Sequence, residues 1–165
     1  MIPAAVPAHE GERLEALARL CVLDTDPEIE FDALARAAAI VCGTPISLIS
    51  LVDSTRQWFK ANHGLIGVAQ THREIAFCAH TILQDEIFEI SDARLDGRFS
   101  DNPLVTESPH LRFYAGIPLK LSNGSNIGTL CVMDQSPRKL SPTQQAILKE
   151  LASAAVLALE GRRAL

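Results

Sequence analysis

The chain has 165 residues, enough for one domain with a substantial core. Its net charge of −5, with 21% charged residues, argues against a nucleic-acid-binding surface, which requires clustered Lys and Arg. No apolar run approaches the roughly 18 residues of a membrane span, and the start lacks the basic-then-apolar pattern of a secretory signal. We therefore expect a cytoplasmic protein that binds neither nucleic acid nor membrane.

The N-terminal region predicts a loose start followed by a helix. Residues 1–8 carry two prolines among alanines, so we expect a flexible lead-in before a single domain of residues 9–165. The stretch "EGERLEALARLCVL" places Leu14, Leu17 and Cys21 at helical spacing, with charges between them. This pattern is typical of an amphipathic helix.

Caps mark further helix boundaries. An N-cap side chain followed by proline at the first helical position predicts a helix start, and this pair occurs at Asp26-Pro27, Asn102-Pro103 and Ser141-Pro142. The first of these helices should end at Gly43, because glycine adopts the left-handed conformation that terminates helices. The last should be long, with a buried stripe that comprises Ile147, Leu148, Leu151, Ala155, Ala158 and Leu159.

Between the helices the period changes to that of strands. Residues 45–53, "PISLISLVD", carry apolar side chains on both faces, which predicts a central strand covered on both sides. "QWFKANHG" predicts an antiparallel neighbour, and "EIFEIS" a short third strand. "RFYAGIPLKL" and "NIGTLCVMD" flank Asn123-Gly124, a strong hairpin signal. The order predicts an α+β fold: an antiparallel sheet with helices on at least one face and a cover segment over the other.

The stretch "REIAFCAHTIL" places Cys78 and His80 two residues apart. In a helix they point about 200° apart around the axis, so they cannot both reach one metal ion or one substrate atom. On a strand they would share a face, and a catalytic pair would be possible again. The plain alternative is that Cys78 belongs to the core and that His80 is a hydrogen-bonded structural histidine.

The four cysteines form no CxxC pair and no zinc-ribbon spacing. In a reducing compartment they should be free thiols that behave as small buried side chains. We therefore predict no metal site and no catalytic residue.

Several blocks of the chain, in order, resemble GAF domains: "ERLEALARLCVLDTDPEIEFDALARAAAIVCGTPISLISLVDSTRQWFKANHGL", "REIAFCAHTI", "DARLDGRFSDNPLV", "LRFYAGIPL", "GTLCVMD" and "PRKLSPTQ". They are most similar to the sensory GAF domains that precede bacterial diguanylate cyclase or histidine kinase modules, and the similarity covers about residues 10–160. The resemblance implies five or six antiparallel strands, terminal helices on one sheet face, and a ligand-cover segment on the other.

In such domains a small molecule lies between the sheet and the cover. Carried onto this sequence, the pocket wall is formed by the "FCAH" helix, the start of the long loop and the strand "RFYAG", and the floor by the last strand. The implied ligand-binding residues are Phe77, Cys78, His80, Asp92, Arg112, Phe113, Tyr114, Thr129 and Cys131.

The resemblance leaves the cofactor or ligand unknown, because GAF domains bind cyclic nucleotides, bilins, haem and other small molecules, and some bind nothing. Bilin-attaching members carry a cysteine just before a histidine ahead of the fourth strand. This chain has Pro109 before His110 there, so covalent bilin is not expected. The NKxnFDE motif of cyclic-nucleotide-binding members is absent. Haem would need an axial histidine such as His80 or His110, and nothing specifies it.

The preferred function is a non-catalytic regulatory sensor. A ligand or redox change in the pocket would shift the conformation of the terminal helices. These helices would in turn regulate an output domain of diguanylate cyclase or histidine kinase type, in cis or in trans. The apolar stripe over residues 144–159 extends beyond what one sheet can cover. Together with the helix of residues 10–21, it predicts a homodimer.

Two alternatives remain. A ligandless dimerisation or relay module would have a pocket filled by its own side chains. A GAF-fold reductase of free methionine sulfoxide would need an accessible thiolate of low pKa with a second thiol within reach. Of the four cysteines, we expect only Cys78 near the pocket, and on an apolar stripe.

Overall fold

A six-stranded antiparallel sheet forms the centre of the molecule, for which a computed structural model describes residues 1–162. The strands are β1 Ile46–Val52, β2 Arg56–His63, β3 Gln70–His72, β4 Phe88–Ile90, β5 Phe113–Lys120 and β6 Asn126–Asp134. Their order across the sheet is β3-β2-β1-β6-β5-β4, and every neighbouring pair is antiparallel. Residues 163–165, the end of the predicted domain, lie outside the described part of the chain.

Helices cover one face of the sheet, and shorter segments cover the other. The helices are α1 Glu10–Arg19, α2 Ile29–Cys42, α3 Cys78–Thr81, α4 Pro103–Thr106 and α5 Pro142–Gly161. The long helices α1, α2 and α5 share one hydrophobic core with the sheet. On the other side, α3, α4 and the segments around them enclose a second core. This confirms the predicted α+β fold with terminal helices on one face and a cover segment on the other.

The central strand is buried along its whole length, as predicted. Every residue of β1 is buried, with Ile49 and Leu51 in the helix-side core and Leu48 and Val52 in the cover-side core. Neighbours on a strand alternate between faces, so an apolar residue at nearly every position requires a layer on both sides.

Two of the three predicted helix starts are correct. The Asn102 side chain accepts a hydrogen bond from the Leu104 amide, and Ser141 and Gln144 form a capping box. The Asp26 cap is wrong, because α2 begins at Ile29 without a side-chain cap. Residues 25–28 instead form a loop that the buried ammonium group of Lys60 holds in place.

The predicted helix faces need correction at three positions. Cys21 lies beyond the end of α1, at φ 51°, and is exposed. Ile147 on α5 is 38% exposed rather than buried. Arg13 is instead buried on α1, because its guanidinium group donates to the carbonyl oxygen of Val52 at 2.7 Å. A hydrophobic pattern does not reveal a buried arginine whose three side-chain nitrogens each donate a hydrogen bond.

Glu10 accepts hydrogen bonds from two arginines and joins α1 to the cover. Its carboxylate oxygen lies 2.7 Å from Arg13 Nη2 and 2.5 Å from Nη1 of Arg73, which precedes α3. Burial by itself raises the pKa of Glu10, but the hydrogen bonds and charges of the two arginines outweigh it and hold the pKa at about 2.

Glu10→Gln should make the free energy of unfolding depend less on pH in the acidic range. Since the folded pKa lies below the ordinary 4.5, the carboxylate stabilises the fold above pH 4.5 and loses this effect as the pH falls toward 2. At pH 7 we expect the variant to lose about 1 to 2 kcal/mol in urea unfolding, allowing for partial solvation. The difference from the parent should shrink toward pH 3. Glu12→Gln, an exposed neighbour, is the control; a difference independent of pH would contradict the assignment.

Candidate functional site

Five buried polar side chains meet on the cover side of the sheet, and we call them the cover-side cluster. They are Cys78 and Thr81 of α3, Tyr114 of β5, and Thr129 and Cys131 of β6. Each is at most 2% exposed. Buried polar groups in such number require mutual hydrogen bonds.

The sulfur of Cys78 lies at the centre of the cover-side cluster. The hydroxyl of Thr129 donates to it at 3.0 Å and that of Tyr114 at 3.4 Å. Tyr114 also shares a 2.7 Å hydrogen bond with Thr81. The Sγ atoms of Cys78 and Cys131 are 4.0 Å apart. Two free thiols therefore lie next to each other beneath the cover.

A glycine lets Tyr114 reach this position. Gly116 is two residues further along β5, on the same face, and pairs with Cys131. A Cβ atom at Gly116 would lie 2.3 Å from the Tyr114 hydroxyl oxygen, closer than any real contact. The tyrosine ring therefore lies along its own strand, over Gly116, and its hydroxyl reaches Cys78.

The cover-side cluster shifts the pKa values of its cysteine and tyrosine side chains in opposite directions. Burial acts to raise the pKa of the Cys78 thiol, but its hydrogen bonds with Cys131, Thr129 and Tyr114 outweigh it and lower the pKa to about 7. The hydrogen bond with Cys78, together with burial, raises the pKa of Cys131, and burial raises that of Tyr114. Cys78 is therefore the group of this cluster that ionises first.

Aromatic rings fill the space between the cluster and solvent. Phe99 is 1% exposed; its ring centroid lies 4.2 Å from that of Phe77 and 4.8 Å from that of His80. Phe88 lies 6.2 Å away. These distances are typical of aromatic contacts. The cover-side core is thus closed by packed rings.

One small cavity remains between the sheet and the cover. Its volume is about 20 Å³, and Cys78, Tyr114, Phe77, Leu48 and Leu111 are among its lining residues. This is room for about one water molecule. No charged side chain lines it.

The predicted site residues occupy several different places. Phe77, Cys78 and Tyr114 line the cavity. Thr129 and Cys131 lie in the cover-side cluster, on the sheet below. His80 is half-buried at the edge, where its Nε2 lies 3.1 Å from the carbonyl oxygen of Ile2 in the predicted lead-in. Burial and the charge of Arg98 lower the pKa of His80.

The other three predicted site residues lie neither in the cavity wall nor in the cover-side cluster nor at its edge. The prediction that Phe113 lines the pocket is wrong, because Phe113 belongs to the helix-side core. Tyr114 faces the cover, so its neighbour on the strand must face the opposite side. Asp92 caps the turn at residues 93–95 and pairs with Arg94. Arg112 donates to the carbonyl oxygen of Val105 and so connects β5 to α4.

Sequence reasoning missed further polar residues on this face. The hydroxyl of Ser50 donates to Gln57 at 3.0 Å, and Gln57 donates to Thr71 at 2.7 Å. Strand alternation offered the signal: Ser50 is a polar residue on the same face as Leu48 of a fully buried strand. Thr81, one turn after Phe77, gave no comparable signal.

The family comparison matches this architecture. A family model described as the GAF domain matches residues 26–159, and the chain belongs to the GAF domain family. Among solved structures, the GAF domain of an Acinetobacter phosphoenolpyruvate-protein phosphotransferase aligns with a TM-score of 0.65 at 18% identity, over 93% of this chain and 96% of that one. A type II free methionine-R-sulfoxide reductase from Thermoplasma acidophilum aligns with a TM-score of 0.64 at 12% identity, over 79% and 89%. These likenesses concern the fold.

A curated protein is similar in sequence as well. The chain is 43% identical over 147 residues to the cyclic di-GMP phosphodiesterase PA2567 of Pseudomonas aeruginosa. The match covers 88% of this chain and 25% of that protein, so the chain spans about a quarter of its relative's length. The regulatory class predicted from the sequence is thereby supported, as a GAF domain of signalling proteins.

Two further findings concern the described residues. Within residues 1–162, no group of three or more His, Cys, Asp or Glu side chains is arranged to hold a metal ion. No helix in that part of the chain is long and apolar enough to cross a membrane.

Proposed function

We propose that this chain is the non-catalytic regulatory domain of a cytoplasmic cyclic di-GMP signalling protein. In this proposal, the cover-side cluster receives the signal, and the terminal helices α1 and α5 pass it to an output domain. The observation that carries it is the 43% identity with a quarter of a named cyclic di-GMP phosphodiesterase. The phosphodiesterase reaction itself is assigned to the output domain.

Contacts from α1 support such a route. Arg13 of α1 donates to the carbonyl oxygen of Val52, the last residue of β1. Glu10 of the same helix pairs with Arg73, five residues before Cys78. A shift of the cover can therefore reach α1 through an ion pair and a buried hydrogen bond, without passing through the whole core.

A domain exchange tests the proposal. Replacing the matching region of the Pseudomonas phosphodiesterase by this chain should preserve cyclic di-GMP hydrolysis, and Tyr114→Phe in the chimaera should change its rate. This chain alone should not hydrolyse cyclic di-GMP. Hydrolysis by the isolated chain, or a chimaera indifferent to every change in the cover-side cluster, would overturn the proposal.

The signal is proposed to be a small uncharged molecule held under the cover. No charged side chain lines the cavity, which supports an uncharged ligand. A molecule much larger than water must displace Phe77 or the segment around Leu111, since the cavity measures only about 20 Å³. A cover filled by its own rings is also what a ligandless relay module requires, and this observation favours that module as the second candidate function.

His80→Ala should separate these two candidates. The half-buried ring contacts Phe99 at the edge of the cover, so its loss should leave the fold intact and reduce retention of any bound molecule. Native mass spectrometry and an absorption spectrum of freshly purified protein are the measurements. A removable mass that decreases in the variant supports the sensor, and a bare parent chain supports the relay module. Unfolding of His80→Ala, with exposed His63→Ala unaffected, would make His80 a structural residue.

A homodimer is part of the proposal. Exposed apolar side chains remain on the helix layer, with Leu157 of α5 73% exposed and Ile40 of α2 74% exposed. A second copy of the chain would cover these side chains. Their positions support a dimer interface on α2 and α5, whereas the sequence pattern predicted one on α1 and α5. Leu157→Glu should shift sedimentation from dimer to monomer, with Leu95→Glu, an 85% exposed leucine on the cover side of the sheet, as control. A monomeric parent chain would refute the dimer.

One observation supports the reductase alternative and another argues against it. Cys131 supplies a second thiol 4.0 Å from Cys78, yet both are at most 2% exposed, and free methionine sulfoxide is far larger than the cavity. We propose that the chain does not reduce it. Turnover of methionine sulfoxide with loss of free thiols would make the chain an enzyme.

A further inference from the structure

We propose that Cys78 and Cys131 form a dithiol that hydrogen peroxide oxidises to a disulfide beneath the cover. Disulfide formation stands on the geometry alone. Its use as a signal rests on the proposed regulatory function.

The two sulfurs need only a small movement to bond. Their distance of 4.0 Å must shorten to about 2.05 Å in a disulfide. Cys131 is fixed in the middle of β6, between β1 and β5. Cys78, by contrast, is the first residue of a four-residue helix. The movement is therefore expected from α3, toward the sheet.

The surroundings make Cys78 the attacking sulfur. Peroxides react with thiolates rather than thiols, and the hydroxyls of Thr129 and Tyr114 donate to this sulfur. The lowered pKa of Cys78 follows from the same contacts. Cys78 also lines the cavity, whereas Cys131 does not. Cys131 is thus placed to resolve the oxidised form of Cys78.

The cavity selects a small oxidant. It has room for about one water molecule, and the partly exposed side chains of Leu65, Leu104 and Pro109 are part of its wall. Hydrogen peroxide is only slightly larger than water. Oxidised glutathione is far too large to reach Cys78 while the cover is closed.

The reaction balances in two steps. The Cys78 thiolate attacks one peroxide oxygen; an S–O bond forms, the O–O bond breaks, and the released hydroxide takes up the proton that Cys78 lost. Cys131 then attacks the sulfur of the Cys78 sulfenic acid. The S–S bond forms, the S–O bond breaks, and the leaving hydroxide takes the Cys131 proton. In sum, two thiols and one hydrogen peroxide give one disulfide and two water molecules.

The other two cysteines provide the controls. Cys42 is buried in the helix-side core, on the opposite face of the sheet. Burial raises the pKa of its thiol. Cys21 is exposed and would form links between molecules, so the experiment uses Cys21→Ser protein throughout.

The test is alkylation of the folded, peroxide-treated protein after denaturation, followed by intact and peptide mass spectrometry. We expect two of the three remaining thiols to be protected, with a peptide link between Cys78 and Cys131. Oxidised glutathione should protect none. Cys42→Ser should form the same link, and Cys131→Ser should stop at sulfenic or higher oxides of Cys78. Thr129→Val, which keeps all thiols, should slow the reaction about tenfold through a smaller thiolate fraction.

Three unprotected thiols after peroxide treatment, a link through Cys42, or equal rates with oxidised glutathione would overturn the inference. Because Thr129→Val retains both cysteines, an unchanged rate in that variant would refute the proposed activation even if the cysteine variants fail to fold. The outcome is separate from the proposed function. A disulfide that forms without changing the chimaera's hydrolysis rate would leave the dithiol standing and refute its signalling role.

Discussion

Phe99→Ala should lower the free energy of unfolding by about 3 to 5 kcal/mol, the range for removal of a buried phenylalanine. The Phe99 ring is 1% exposed and contacts the rings of Phe77, His80 and Phe88. Urea unfolding measures the loss, and the exposed Leu95→Ala in the same segment should change stability by less than about 0.5 kcal/mol.

The same variant examines whether the cover side can hold a ligand. The space left by Phe99 is lined by the rings of Phe77 and Phe88, with His80 and the Arg98 guanidinium at its edge. Because a largely apolar cavity binds small apolar molecules, benzene should stabilise Phe99→Ala and leave the parent chain unaffected. A loss of stability below about 1 kcal/mol would mean that the ring is not held as the packing indicates. Benzene binding to the parent chain would show that the cover opens readily.

The fold was predictable because several local signals agree with its global pattern. Ser141 with Pro142, Asn102 with Pro103, and Gly43 each specify a helix terminus through local backbone geometry, and the structure has all three. The central strand followed from side chains that are apolar on both faces. The short strand β3 was not predicted, since three residues at a sheet edge carry no periodicity.

The site was predictable only in part, because its geometry comes from residues far apart in sequence. Cys78 and Cys131 are separated by 53 positions, and no local pattern indicates that their sulfurs meet. The helical arrangement that excluded a Cys78–His80 pair is present: one side chain faces the sheet and the other lies at the edge. Phe113 was misplaced because the resemblance was carried over as a block of residues, without the alternation of the strand.

Lys60→Met should cost about 2 to 3 kcal/mol, because it removes a buried ammonium group together with its hydrogen bonds. The Lys60 side chain is fully buried, and its ammonium group lies 2.6 Å from a carboxylate oxygen of Glu28. It also donates to the hydroxyl of Thr25 at 2.7 Å and to the carbonyl oxygen of Asp26 at 2.6 Å. Methionine fills similar space but removes the donor to the Thr25 hydroxyl and the Asp26 carbonyl oxygen, while Glu28 keeps its contact with Arg162. A buried group left unsatisfied costs about 1 to 3 kcal/mol.

The ion pair also connects β2 to the start of α2 and, through Arg162, to the end of α5, so its loss should affect regions beyond β2. Arg162, which follows α5, donates to the same Glu28 oxygen at 2.8 Å. We expect faster amide exchange in residues 25–28 of Lys60→Met and at the C-terminal end of α5. Lys120→Met removes a half-exposed lysine from its pair with Asp85 and should cost less than about 1 kcal/mol. Equal losses in the two variants would mean that Lys60 is solvated, and the loop of residues 25–28 would then need another reason to replace the predicted Asp26 cap.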